Sequence, residues 1–251
     1  LSFQQNSQEI KSLTKIRLLS KKMRKSDEAI RYFKNLLKET PNSKDIIYNL
    51  ASTFKSNGEL VKAKFYFNKL LKIDYKNIKS YLLLGEVLCD THSLNQGLKL
   101  FKKAIKLDEN DHTSHSFLLF YSNYCPNHTS EEIFSYYQQF DNKFGLPLQK
   151  EWKPFTPLKK PKKKLKIGYV SPDFRNHSMK GFLKPVLANH NHEHFEIYAF
   201  AELSKEDHVT KQYQSYVDHW IPTQNLTDQQ MVQKIRDLEI DILVDLAGHT
   251  D

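Results

Sequence analysis

The sequence predicts an all-α repeat array followed by an α/β segment with a parallel sheet. Three observations carry this reading. A 34-residue period runs through the first half, and a proline- and lysine-rich stretch breaks the pattern at residues 145–164. From Leu165 onward, short apolar runs alternate with helical stretches.

The repeat comes first. Ala63, Phe67 and Leu70 each have a counterpart 34 residues on, in Gly97, Phe101 and Ala104. The same offset joins Ile47 to Tyr81, Leu50 to Leu84, Ala51 to Gly85 and Phe54 to Leu88. One period earlier stand Ala29, Phe33, Leu36 and then Pro41. Small residues at fixed columns let two helices of a hairpin pack closely, and the Phe column fills the space against the next hairpin. This is the column order of tetratricopeptide repeats, whose hairpins cannot bury their faces alone. Asn57-Gly58 supplies the turn within one hairpin. The earliest copy is degraded, with Arg17 and Ser20 in core columns. After Asp111 the period drifts, but Phe117, Leu118, Tyr121 and Tyr124 keep a helical rhythm. Residues 127–130 read as a loop with Ser130 as helix cap, and this last hairpin is expected to close the array. The expected domains are therefore a solenoid over 1–144, a linker over 145–164 and an α/β lobe over 165–251.

In the lobe, LKIGYVS reads as a buried strand, followed by the loop PDFRNHS and a helix over Lys180 to Asn189. FEIYAFAEL is the second strand and DILVDLAG the third; between them lie a helix near Val209 to Val217, the strand-like DHWIP and a helix from Asp228 to Leu238. Such alternation gives parallel βαβ units, whose ligands meet the loops at the carboxyl ends of the strands. Those loops are PDFRNHS and GHTD. A three-stranded sheet with a bare edge is expected to be association-prone.

Composition and absent motifs narrow the function. The chain has 251 residues, 39% hydrophobic and 27% charged, with sixteen Phe and thirteen Tyr, which is no disordered composition. No run approaches a membrane span and no secretory h-region opens the chain, which starts with Leu rather than Met. Two cysteines, Cys89 and Cys125, cannot frame a disulfide scaffold, so a cytoplasmic setting is expected. The net charge of +9 is spread over Lys-rich helices apart from the run Lys159 to Lys166, which reads as a hydrated hinge rather than a nucleic-acid patch. There is no GxGxxG, P-loop, GxSxG or zinc spacing, so no cofactor and no metal are expected.

Three segments together resemble one family: Lys166-IGYVSPDFRNHS, EIDILVDLAGHT ending at Thr250, and SHSFLLFYSNYCPNHTSEEIF. The family is the O-GlcNAc transferase and SPINDLY-type group, in its bacterial form with tetratricopeptide repeats. The resemblance implies a glycosyltransferase B-type region of two Rossmann-like lobes with the active site between them. It implies transfer of a sugar from a nucleotide donor, UDP-GlcNAc first, to Ser or Thr of acceptor proteins guided by the repeats. It places His177, the histidine of the DFxNH motif, as general base; a hydroxyl nucleophile must lose a proton, and imidazole titrates nearest neutrality. Asp173 and Asn176 share that loop, His249 and Thr250 would face the same cleft as substrate-binding residues, and Arg175 is expected to support the loop. The family's catalytic region is longer than the 87 residues of 165–251, so the donor lobe and its phosphate contacts are expected elsewhere and these residues alone are expected not to turn over. Two alternatives stay open: GDP-fucose as donor, or a repeat adaptor with a degenerate catalytic remnant. Nucleic-acid binding, a third, would require affinity falling steeply with salt. Homodimerisation through the repeats is compatible with such an array, although no surface is singled out for it.

Overall fold

The computed structural model describes residues 3–22, 25–154 and 163–247. The chain divides into two compact units between Glu151 and Trp152.

The first unit is a run of antiparallel helices: α1 (Phe3–Lys22), α2 (Ser26–Glu39), α3 (Lys44–Ser56), α4 (Leu60–Ile73), α5 (Ile78–Asp90), α6 (Leu94–Leu107), α7 (His112–Ser122) and α8 (Ser130–Phe140). The predicted columns are its core. Phe33, Phe67 and Phe101 are fully buried, as are Ala63 and Ala104. The small column is set by close approach: a Cβ on Gly97 would lie 2.7 Å from the Gly85 carbonyl oxygen, and one on Gly85 would meet the Phe101 ring. The starts of α5, α7 and α8 are held by side-chain caps. Asn77 accepts from the Ser80 amide at 2.9 Å and Asp111 from the Ser114 amide at 3.0 Å. At α8 the cap is Thr129, not Ser130. Its hydroxyl accepts from the Glu132 amide while the Glu132 carboxylate accepts from the Thr129 amide. That reciprocal pair satisfies two free donors, and Ser130 offers no such partner three residues on. The degraded first copy still packs through Leu13 and Ile16, and its polar column residues find partners: Arg17 donates to Asn49 at 3.2 Å, and the Ser20 hydroxyl to the Arg17 carbonyl at 2.8 Å. The end of the expected solenoid forms a π-helical turn, Asp141–Gly145, and the start of the expected linker continues as a 3-10 turn, Leu146–Glu151.

The second unit holds four parallel strands, not three: β1 (Leu165–Ser171), β2 (Phe195–Ala201), β3 (His219–Pro222) and β4 (Ile242–Asp245), in the order β3-β2-β1-β4. The strand missing from the sequence count is β3. It is four residues long and pairs only with β2, an edge position where Pro222 can do without a ladder donor. Alternate residues of β2 face opposite layers. Ile197, Ala199 and Ala201 pack with Leu183 and Leu187 of α9 (Lys180–Ala188) and with Val209 and Tyr213 of α10 (His208–Gln214). Tyr198 and Phe200 pack with Met231 and Ile235 of α11 (Asp228–Asp237). Burial on both faces is why FEIYAFA reads as a continuous apolar run. Among the described residues no helix is long and apolar enough to cross a membrane.

Candidate active-site loop

The loop at residues 172–179 leaves the carboxyl end of β1, one of the two central strands, and enters α9 at Lys180. Its anchor is Phe174, fully buried and 5.5 Å from the Tyr213 ring and 5.4 Å from the Trp220 ring. With Phe174 pinned inward, its neighbours form the site. Asp173 is 5% exposed and its amide donates to the Ser171 hydroxyl at 3.0 Å. One oxygen of Asp173 accepts from Arg175 at 2.9 Å, and the other lies 3.3 Å from His177 Nδ1. Arg175 also donates to the Pro172 carbonyl at 3.2 Å, so both its contacts lie within the loop.

Two groups compete for His177 Nδ1: the Asp173 carboxylate, and the Met179 amide at 3.4 Å. The first asks for a proton on Nδ1 and the second for a lone pair. The amide contact is at the long limit of a hydrogen bond, whereas a buried carboxylate attracts the proton strongly. We therefore assign the proton to Nδ1. The lone pair of Nε2, which has no partner among the described residues, is then directed away from the carboxylate. This arrangement can accept a proton from a hydroxyl brought to Nε2.

The loop is also tied from outside. The Asn176 amide donates to Asp207 Oδ2 at 2.8 Å, and the Asn176 side chain accepts from Lys180 Nζ at 2.7 Å. Asp207 is the N-cap of α10; its Oδ1 accepts from the Val209 amide at 2.9 Å and the Thr210 amide at 3.0 Å. The Asn176 amide foremost, with those of Thr210 and Val209, holds the Asp207 carboxyl down at about 2. Sequence reasoning did not single out Asp207 or Phe174. The first left a signal, an Asp three residues before Thr210 at the start of a helix, which is a capping-box spacing. The second left none, since a Phe in a loop has no periodicity.

His177, Asp173, Arg175 and Asn176 thus belong to one connected loop. His249 and Thr250 lie outside the described residues. The chain leaves β4 at Asp245, whose Oδ1 accepts from the Ala247 amide at 2.9 Å, and β4 runs parallel to β1, so both strands end on the same side of the sheet. Among the described residues no group of three His, Cys, Asp or Glu could hold a metal ion.

Known proteins resemble both units. Residues 146–251 match the model of glycosyl transferase family 41, and residues 45–77 match that of the tetratricopeptide repeat. A tomato (Solanum lycopersicum) protein named "Probable UDP-N-acetylglucosamine--peptide N-acetylglucosaminyltransferase SPINDLY" is 25% identical over 150 residues, 58% of this chain and 16% of the relative. The Arabidopsis thaliana protein of the corresponding name ending in SEC is 33% identical over 118 residues, 43% of this chain and 11% of the relative. The chain thus spans less than a fifth of the length of these curated relatives. An O-GlcNAc transferase structure from Thermobaculum terrenum superposes with a TM-score of 0.81 at 24% identity, over 96% of this chain and 46% of that one, a likeness of fold.

Proposed function

We propose that this chain, a tetratricopeptide-repeat segment followed by part of a family 41 glycosyltransferase domain, belongs to a protein O-glycosyltransferase in which His177 is the general base. The observation that carries the proposal is His177 itself: a histidine on a pinned loop at the carboxyl end of a central parallel strand, with Nδ1 against a buried carboxylate and Nε2 without a partner among the described residues. In the proposed step a Ser or Thr hydroxyl of the acceptor gives its proton to Nε2. Its oxygen forms a bond to the anomeric carbon of the donor sugar, and the bond from that carbon to the diphosphate breaks, releasing the nucleotide. Asp173 keeps the imidazole oriented and offsets the charge that forms on it. The names of the relatives favour UDP-GlcNAc as donor over GDP-fucose. The repeats would present the acceptor, and the departing diphosphate would be held by residues outside this 251-residue stretch, in keeping with the greater length of the relatives.

The test uses the full-length product of the gene with an acceptor protein extract and, separately, UDP-GlcNAc, UDP-glucose and GDP-fucose. Peptide mass spectrometry scores the added sugar. Addition from UDP-GlcNAc that falls about 100-fold or more in His177→Ala supports the reading, in line with the usual worth of a general base. Full activity in His177→Ala would remove the assigned base. No addition from any donor by folded protein would leave the adaptor reading in its place.

A further inference from the structure

A groove of about 780 Å³ opens where the turn between α5 and α6 faces α7. Its lining includes Asp90, His92, Asn95, Phe120, Tyr121 and Tyr124. Three features separate it from an ordinary surface crevice.

The first is aromatic. The Phe120 ring stands nearly perpendicular to Tyr121 at 5.0 Å and tilts 59° to Tyr124 at 5.3 Å, and Tyr124 is 63% exposed. A large ring left this open on a folded array presents a π-face to solvent. The second is charge. The chain carries 38 Lys and Arg, yet no Lys or Arg lines this groove. Glu86 is neutralised by Lys55 at 2.6 Å, whereas Asp90 is exposed and has no partner among the described residues. Burial first, and then the carboxylates of Glu86 and Asp90, push the Tyr121 hydroxyl far above its ordinary range; Cys89 is raised to about 12 by burial and the same two carboxylates. Asp90 is thus the unpaired carboxylate of the lining, and it suits a cation.

The third is backbone strain. His92 has φ +60, in the left-handed region that side chains other than glycine rarely enter. The turn one repeat earlier has the same hydrogen bonds: Gly58 to the Lys55 carbonyl and Glu59 to that of Phe54, as His92 to Cys89 and Ser93 to Leu88. There, 34 residues before His92, the left-handed position is Gly58 at φ +77. An imidazole thus occupies a place that glycine fills without strain, and it lines the groove.

We propose that this groove binds an arginine side chain of an extended partner polypeptide, with the guanidinium against the Phe120 and Tyr124 rings and the Asp90 carboxylate. Arginine fits better than lysine because its planar group both stacks on rings and pairs with a carboxylate. The space exceeds one side chain. Along its wall the Asn95 oxygen already accepts from Cys125 Sγ at 3.3 Å, which leaves the Asn95 amide NH2 and the Gln96 carboxamide to bond the flanking backbone. The inference is independent of sugar transfer, because its readout is binding.

The test is fluorescence anisotropy of labelled peptide pools on the 251-residue chain. Each nonapeptide pool fixes only its central residue, as arginine, lysine or citrulline. The arginine pool is expected to bind about tenfold tighter than the citrulline pool, and Asp90→Asn and Tyr124→Ala each to weaken it by about tenfold. Both side chains are exposed, and unchanged circular dichroism with an unchanged melting temperature will show that the variants fold. Equal binding of the arginine and citrulline pools would overturn the proposal, as would variants that bind like the parent. Equal binding of the lysine pool would overturn the choice of arginine.

Discussion

The two units achieve stability differently. In the repeats each helix packs mainly on helices one or two places along the chain, and the core columns recur at 34-residue intervals. In the α/β unit the central strand β1 pairs with β2 on one side and, across some seventy-five residues, with β4 on the other. Repeats therefore tolerate local decay, as Arg17 and Ser20 illustrate, because a defect is felt mainly by adjacent hairpins. The sheet has no such freedom. Asp241 at the entry to β4 accepts from the Lys166 amide at 2.9 Å and lies 2.9 Å from Lys163, so the last strand is locked to the first. Among the described residues its outer edge has no partner strand, and Ile242 and Leu243 are nearly half exposed.

This contrast is open to measurement, since Trp152 is 71% exposed whereas Trp220 packs on Phe174 inside the second unit, so the change in tryptophan fluorescence follows mainly that unit. Phe101→Ala is expected to cost about 3–5 kcal/mol through the cavity it leaves. It should shift the helical circular-dichroism transition in urea while the tryptophan transition keeps its midpoint. A shared shift in both signals would show that the units unfold as one. Gly85→Ala is expected to cost about 1–3 kcal/mol by driving a methyl group into the Phe101 ring, again in the helical transition only.

The two equivalent turns give smaller effects of opposite sign. Gly58→Ala should destabilise by about 1 kcal/mol and His92→Gly should stabilise by about 0.5–1 kcal/mol, because only glycine meets the left-handed φ without strain. Calorimetry on both variants reads the signs, and a loss in His92→Gly would mean that the imidazole contributes more to the fold than its backbone costs.

The smallest effect belongs to the second unit and depends on pH. Asp207 is held at about 2, below the ordinary value of about 3.9 for an unfolded chain. Its contribution is thus fully present above about pH 4 and is lost as pH falls through about 2. The tryptophan-monitored urea midpoint should fall over that window in the parent and more shallowly in Asp207→Asn. Parallel curves would mean that Asp207 does not tie the loop through Asn176.

Much of this could be read before any coordinates. The buried columns of the repeats were legible because a helical hairpin converts sequence spacing directly into packing, and Phe67 and Phe101 lie where their 34-residue offset puts them. Strands β1, β2 and β4 were legible from apolar runs, whereas β3 was too short and too polar at its start to be counted. The loop holding His177 was legible as a motif, but not what holds it. Asp207 and Phe174 reach the loop through tertiary contacts, and the pairing of the His177 imidazole with Asp173 depends on side chains folding back over a pinned ring. The left-handed turn at His92 and the groove it borders were hidden for the same reason. The two architectures, the periodic cores and the motif at the end of β1 are written in the amino-acid order, because all of them follow from spacing along the chain. The strand order, the contacts that support His177 and the groove beside His92 came from the folded chain, because each depends on residues that meet across space without any fixed interval in sequence.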